Sequence, residues 1–118
     1  MIVKKKVDNG TVTVSIHIHP FFVGEVVADE DTGRIKSLSV SREFDQKGYE
    51  AVLLMFLKEH FKKLQKNLYI TVKDHIEVNK LGDYTYYIQN LLDVVAFKII
   101  NRSVEDNTQE WSWSYEER

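Results

Sequence analysis

The residues best placed to do chemistry sit in one loop, Ser41-Arg42-Glu43-Phe44-Asp45-Gln46-Lys47-Gly48-Tyr49-Glu50-Ala51. A β-like run, Ile35 to Val40, leads into it, and the apolar run Val52-Leu53-Leu54-Met55-Phe56-Leu57 leads out. A strand that hands a loop to a helix N-terminus builds an anion site, because the first helical N–H groups have no internal acceptor. Gly48 allows a ligand to come close to the backbone, and Lys47 adds positive charge. The geometry suits a pyrophosphate. Asp45 and Glu50 carry the opposite charge to the same place. A carboxylate near a helix N-terminus is itself favoured by about 0.3–1 kcal/mol when exposed, so either one competes with an external anion for the same amides.

Other candidates are weaker. His17 and His19 stand two apart on one strand face, a spacing that can hold a metal. No carboxylate or third histidine follows at a useful interval, so the pair reads as strand-surface residues and no metal is expected. His60 falls on the apolar face of a helix and reads as a hydrogen-bonded residue at the core edge. His75 lies in a loop with no evident partner. Tyr84, Tyr86 and Tyr87 read as packing residues with polar tips. Lysines 4, 5 and 6, and 58, 62, 63 and 66, could form basic patches, but acidic residues interleave with them and a nucleic-acid partner is disfavoured.

Composition bounds the rest. The chain has 118 residues, 43% of them hydrophobic and 29% charged, with a net charge of −2. That is ordinary for a soluble globular chain and points to a single domain over residues 1–118. There is no cysteine, which removes disulfides, thiolate metal sites and a cysteine nucleophile. No apolar run is long enough for a membrane span, and the Met-Ile-Val-Lys-Lys-Lys start lacks the apolar part of a signal peptide. A cytoplasmic location is the expectation.

The elements that must position the loop follow from periodicity. Ile2 to Val7 reads as a strand closed by the hairpin turn Asp8-Asn9-Gly10. Thr11 to His19 alternates, with Val12, Val14, Ile16 and Ile18 on one face. Pro20 breaks it. Phe21 to Ala28 and Arg34 to Ser41 are strands on either side of a polar turn, completing a meander. The period then becomes helical: Tyr49, Val52, Leu53, Phe56, Leu57, His60, Phe61 and Leu64 recur at i, i+3, i+4. Leu68 to Lys73 is a strand, and Asp83 a candidate cap for a second helix with Tyr84, Tyr87, Ile88, Leu91, Leu92 and Val95 on one face. Ala96 to Ser103 and a last strand follow. On that last strand Trp111, Trp113 and Tyr115 share a face, which either packs against a helix or meets a second copy of the chain in a homodimer. The class is α+β, in the order ββββαβαββ: about seven mostly antiparallel strands in a mixed sheet with two packed helices.

This order, together with Leu38-Ser39-Val40, Asp45-Gln46-Lys47-Gly48-Tyr49-Glu50-Ala51 and Leu91-Leu92-Asp93-Val94-Val95-Ala96-Phe97, resembles the GNAT N-acetyltransferase superfamily. The likeness spans roughly residues 21 to 104. It implies an acetyl-CoA-dependent N-acyltransferase, or a non-catalytic protein-binding or assembly module with the same fold. The acceptor implied is a small-molecule or protein amine. By analogy, the backbone of Leu38, Val40, Gln46, Lys47, Gly48, Tyr49, Glu50 and Ala51 would hold acetyl-CoA.

The family loop reads Q/R-x-x-G-x-G/A. Asp45 stands at its first position and Glu50 at its last, leaving Gly48 alone of the three. Leu92 stands where the family places a tyrosine acid, and Tyr86 or Tyr87 would replace it only with a shifted helix register. Lys36 and Ser37 stand where a carboxylate base is frequent, and Glu25 on the third strand is the substitute. The turn at Asp8-Asn9-Gly10 leaves no room for the helices that wall the acceptor site in the family.

Overall fold

The computed structural model describes residues 1–73 and 82–116, with the side chains of residues 73 and 82–86 outside the description. Strands β1 (Ile2–Asp8), β2 (Thr11–Ile18), β3 (Phe21–Asp29) and β4 (Ile35–Val40) are followed by helix α1 (Tyr49–Leu64). Then come β5 (Leu68–Lys73), α2 (Gly82–Val94), β6 (Lys98–Ser103) and β7 (Thr108–Trp113). This is the expected α+β order. The strands divide into two antiparallel sheets, β1-β2-β3-β4 and β5-β7-β6.

The β1–β2 turn is built by Asn9 at φ 50° and Gly10 at φ 77°. Two successive left-handed residues make the tight turn whose twist matches a hairpin. The pairing Val7↔Val12 and Lys5↔Val14 then fixes the register. Val12, Val14 and Ile16 all face inward and are fully buried. Against them and against Val23, Val26 and Ala28 of β3 pack Leu53, Leu54, Leu57 and Phe61 of α1. Each such side chain contributes about 1.5–3 kcal/mol through burial.

The buried seam of α1 differs from the expected one. It runs Glu50, Leu53, Leu54, Leu57, Phe61, whereas Phe56 and Leu64 are exposed. The helix is rolled so that Leu54 meets the sheet and Phe56 lies on the flank. Glu50 therefore sits in line with the apolar seam, at the spacing i, i+3, i+4, i+7.

The backbones of the two sheets pair at one point among the described residues, a parallel bridge between Arg34 and Tyr69. The Tyr69 N–H donates to the Gly33 carbonyl at 2.9 Å. Gly33 has φ +75°, and a Cβ there would stand 2.0 Å from the Asn67 carbonyl oxygen. Only glycine satisfies both the conformation and the approach. The Arg34 side chain reinforces the junction by bonding Thr71 Oγ1 at 2.9 Å and pairing with Glu110.

Helix α2 begins at Gly82, so Asp83 falls within its first turn rather than ahead of it; the Asp83 side chain lies outside the described residues. The helix ends where Ala96 adopts φ 70°. The Ala96 N–H donates to Asp93 and the Phe97 N–H to Leu92, a Schellman closure on a residue that is not glycine. That turn delays β6 to Lys98. Strand β7 lies between β5 and β6, with Trp111 and Trp113 buried in the core. The tryptophan face thus takes the first of its two alternatives and packs inside the chain. Tyr115 lies past the end of β7.

Candidate functional site

The loop between β4 and α1 is held at both ends. Ser41 donates its N–H to the Val23 carbonyl at 2.7 Å and its hydroxyl to the Phe22 carbonyl at 3.1 Å. Arg42–Phe44 then forms one 3-10 turn. Gln46 at φ 55° and Gly48 at φ 94° turn the chain back onto the helix axis. Phe21, Phe44 and Tyr49 flank the turn, with ring centroids 6.1 and 5.8 Å apart in succession. At Gly48 a Cβ would meet nothing within 4 Å. The glycine is therefore required for its left-handed backbone and not for space.

Gly48 is the N-cap of α1 and supplies no side-chain cap. The helix start finds its partners elsewhere. Glu50 is 0% exposed, although it is charged in water and lies in the first turn. The Tyr87 hydroxyl, from α2, donates to Glu50 Oε1 at 3.0 Å. The Glu50 carboxyl also meets its own backbone N–H, and the Gly48 N–H is directed at the Tyr87 hydroxyl oxygen. Glu50 Oε2 is buried without a hydrogen-bond partner among the described residues.

The electrostatics follow from this enclosure. Burial raises the Glu50 pKa above its ordinary value, against the opposing pull of its own amide and of Tyr87, and the Asp45 charge raises it further. The Tyr87 hydroxyl is pushed up to about 12, first by burial and then by its bond to Glu50. A buried carboxyl with one orphaned oxygen and a neighbouring carboxylate favours its neutral, protonated form. Burial thus shifts the Glu50 carboxyl toward its protonated form while the Tyr87 hydroxyl holds one of its oxygens.

Of the residues expected around a cofactor, Gln46, Lys47, Gly48, Tyr49, Glu50 and Ala51 form one continuous loop and first turn, with Leu38 and Val40 on the strand that feeds it. Beyond the bridge at Arg34, β4 and β5 belong to separate sheets. Gly24 of β3 lies opposite Val40, and a Cβ there would stand 2.5 Å from the Ser39 carbonyl oxygen.

Of the expected catalytic side chains, Tyr87 reaches the start of α1, where its hydroxyl donates to Glu50. The Tyr86 side chain lies outside the described residues. Glu25 pairs across the sheet with Ser15 and Ser39, in alternation with the buried Val14 and Ile16, so it faces away from α1. The sheet therefore separates Glu25 from Tyr87. Leu92 is fully buried in the core. His17 Nε2 is 3.1 Å from Ser15 Oγ on the same outer face as Glu25, and His60 Nε2 is 2.8 Å from Glu30 Oε2.

The Glu50–Tyr87 pair is the feature that residue-by-residue reading missed. Its signal was present: Glu50 shares the seam spacing with Leu53, Leu54 and Leu57. A carboxyl on an apolar seam must find a donor when buried.

No family model matches the chain, and no curated protein matches it in sequence. Its fold does match solved structures. An aminoglycoside 6'-N-acetyltransferase complexed with coenzyme A superimposes with a TM-score of 0.74 at 12% identity, over 94% of this chain and 76% of that one. The ribosomal-protein-S18-alanine N-acetyltransferase from Escherichia coli gives 0.66 at 9% identity, over 95% and 74%. A GNAT-family protein from Desulfovibrio desulfuricans gives 0.69 at 10% identity, over 90% and 69%. The chain has the GNAT acetyltransferase fold.

The residues present do not fit a coenzyme A pyrophosphate as they are arranged. The Gly48 and Glu50 amides face groups of the chain itself. The side chain at the last position of the loop is a buried carboxyl, where the resemblance implies glycine or alanine.

Proposed function

We propose that this chain is an acetyl-CoA-dependent N-acyltransferase-like protein in which cofactor binding, and with it acetyl transfer, is weak or lost in the closed arrangement. The observation that carries this reading is the fully buried Glu50 carboxyl bonded to Tyr87 at the start of α1. A buried internal carboxyl satisfies the donors that a phosphate needs, and Asp45 beside it repels a second anion. Titration calorimetry with acetyl-CoA tests this directly. The expected result is no heat of binding to the natural protein at about millimolar ligand, and binding at least tenfold tighter in Glu50→Gly. Equal, tight binding by both proteins would overturn it.

A second reading, a non-catalytic protein-binding or assembly module in the cytoplasm, draws on a different observation. The two-residue turn between β1 and β2 puts no helix over the sheet face that carries Thr13, Ser15, Glu25 and Ser39. A protein surface, or an amine carried on one, would meet that face directly. Retention of a binding partner by Glu50→Gly and by the natural protein alike, with no acetyl transfer by either, favours this second reading.

A further inference from the structure

Three features of the α1 start belong together. Glu50 is 0% exposed, yet one carboxyl oxygen, Oε2, has no hydrogen-bond partner among the described residues. Its other oxygen accepts from Tyr87, a residue 37 positions away on α2. Asp45, from the loop ahead of the helix, acts on the same carboxyl both through its charge and through its side chain. These are the titratable groups that face Glu50 from the described elements packed around it. Among the described residues no cation acts on it, and its neighbours along the α1 seam, Leu53 and Leu54, are apolar and fully buried.

A buried carboxylate next to a second carboxylate, with no cation, is unfavourable; the protonated acid is not. In the acid form one carboxyl oxygen becomes an O–H, and Asp45, whose side chain acts on this carboxyl, is a group able to accept it. The buried oxygen without a partner among the described residues is then the atom that carries the proton. Tyr87 would hold Oε1 at the same time, so the acid is gripped from the loop and from α2.

We propose that Asp45, Glu50 and Tyr87 form a proton-dependent latch that fastens the start of α1 to α2, closed while the Glu50 carboxyl keeps its proton and released when that proton leaves. On release the proton goes to solvent and the Glu50 carboxylate leaves the seam for water. The Gly48 and Glu50 amides then lose their internal acceptors. The latch rests on the proposed function only for what those amides would hold once free; its operation needs no ligand.

The test is amide hydrogen exchange of the free protein between about pH 5 and pH 9, corrected for the intrinsic rate. In the natural protein the amides of residues 48–52 lose protection with rising pH, approaching about tenfold per pH unit once Glu50 titrates, while amides in β2 and β3 do not. Glu50→Gln keeps the shape, puts an N–H₂ donor in place of the O–H and carries no titrating proton. It holds these amides protected across the range. Tyr87→Phe leaves the carboxyl ungripped by α2 and exposes them at every pH.

Identical, pH-independent protection in the natural protein and in Glu50→Gln overturns the latch. A pH dependence that survives Glu50→Gln overturns it equally. Acetyl-CoA is titrated into the same samples as a separate arm. Failure of every variant to bind it would remove the acyltransferase-like reading and leave the exchange result to decide the latch.

Discussion

Tyr87 and Glu50 are joined by a 3.0 Å hydrogen bond that links α2 to the first turn of α1. The bond holds together, where α1 lacks a side-chain N-cap, the two acceptors that meet its first amides: the Glu50 carboxyl and the Tyr87 hydroxyl oxygen. It also turns what the loop sequence offers as an external anion site into an internal contact. Several expectations about stability depend on that exchange of roles.

The first concerns pH. Folding raises the Glu50 pKa above its ordinary 4.5, so the native state binds a proton that the unfolded chain releases. Its contribution is fully present below the ordinary carboxylate value and is lost as pH rises through the raised one. Urea denaturation should therefore find Glu50→Gln close to the natural protein near about pH 4 and more stable than it near about pH 8. A stability difference that is the same at both values would show that Glu50 does not titrate between them.

Tyr87→Phe removes one donor and leaves Glu50 Oε1 with weaker company. A lost hydrogen bond to a buried acceptor costs about 1–3 kcal/mol. The expected loss is in that range, measured as a shift in the urea midpoint with an unchanged slope. A loss below about 0.5 kcal/mol would place the hydroxyl outside the energetics of the helix start.

Leu92 tests whether the missing tyrosine is a simple substitution. It is 0% exposed in the core, so Leu92→Tyr adds both bulk and a hydroxyl without a partner. The expected cost is about 1–3 kcal/mol, with no gain of acetyl transfer. Recovery of transfer by this one change would contradict the buried placement.

Ala96 is held at φ 70° in the closure of α2. A left-handed backbone is strained for alanine and not for glycine, although glycine loses more entropy on folding. Ala96→Gly should raise stability by about 0.5–1 kcal/mol, read from thermal and urea unfolding. Destabilisation would mean that the alanine methyl makes packing contacts that outweigh the strain.

Gly33 gives the opposite sign. Any side chain there meets the Asn67 carbonyl oxygen, 2.0 Å from an added Cβ, with φ +75° besides. Gly33→Ala should cost at least about 2 kcal/mol, because backbone must move to accept it. A neutral outcome would show that the junction between the sheets yields freely.

The element order and most strand limits were legible because the alternation in β2 and the helical spacing after Gly48 are strong periodic signals. The loop and Gly48 were legible as a helix start for the same reason. What was not legible was the roll of α1, since Phe56 and Leu54 fit a helical stripe equally well until a sheet selects one. With the roll unknown, Glu50 read as a carboxylate competing for the loop amides, with no sign that it would be buried. Its partner was hidden for another reason: Tyr87 is distant in sequence, and a carboxyl–phenol pair leaves no spacing pattern. Placing Glu25 also needed the register, because only the pairing with Ser15 and Ser39 puts it on the far face from Tyr87.

The single parallel bridge at Arg34 and Tyr69 also makes the molecule two mechanical bodies. One is the meander under α1; the other is the three-stranded sheet with α2, tied to α1 by the shared apolar core, by the Glu50–Tyr87 bond and by Lys58, which donates to the Val95 carbonyl at 2.6 Å and lies over the Trp113 ring. Under tension applied at residues 1 and 116, the chain should part at this seam before either sheet unzips. The rupture would then record the strength of the shared core and of the contacts around Gly33, Glu50 and Lys58, rather than that of the strands.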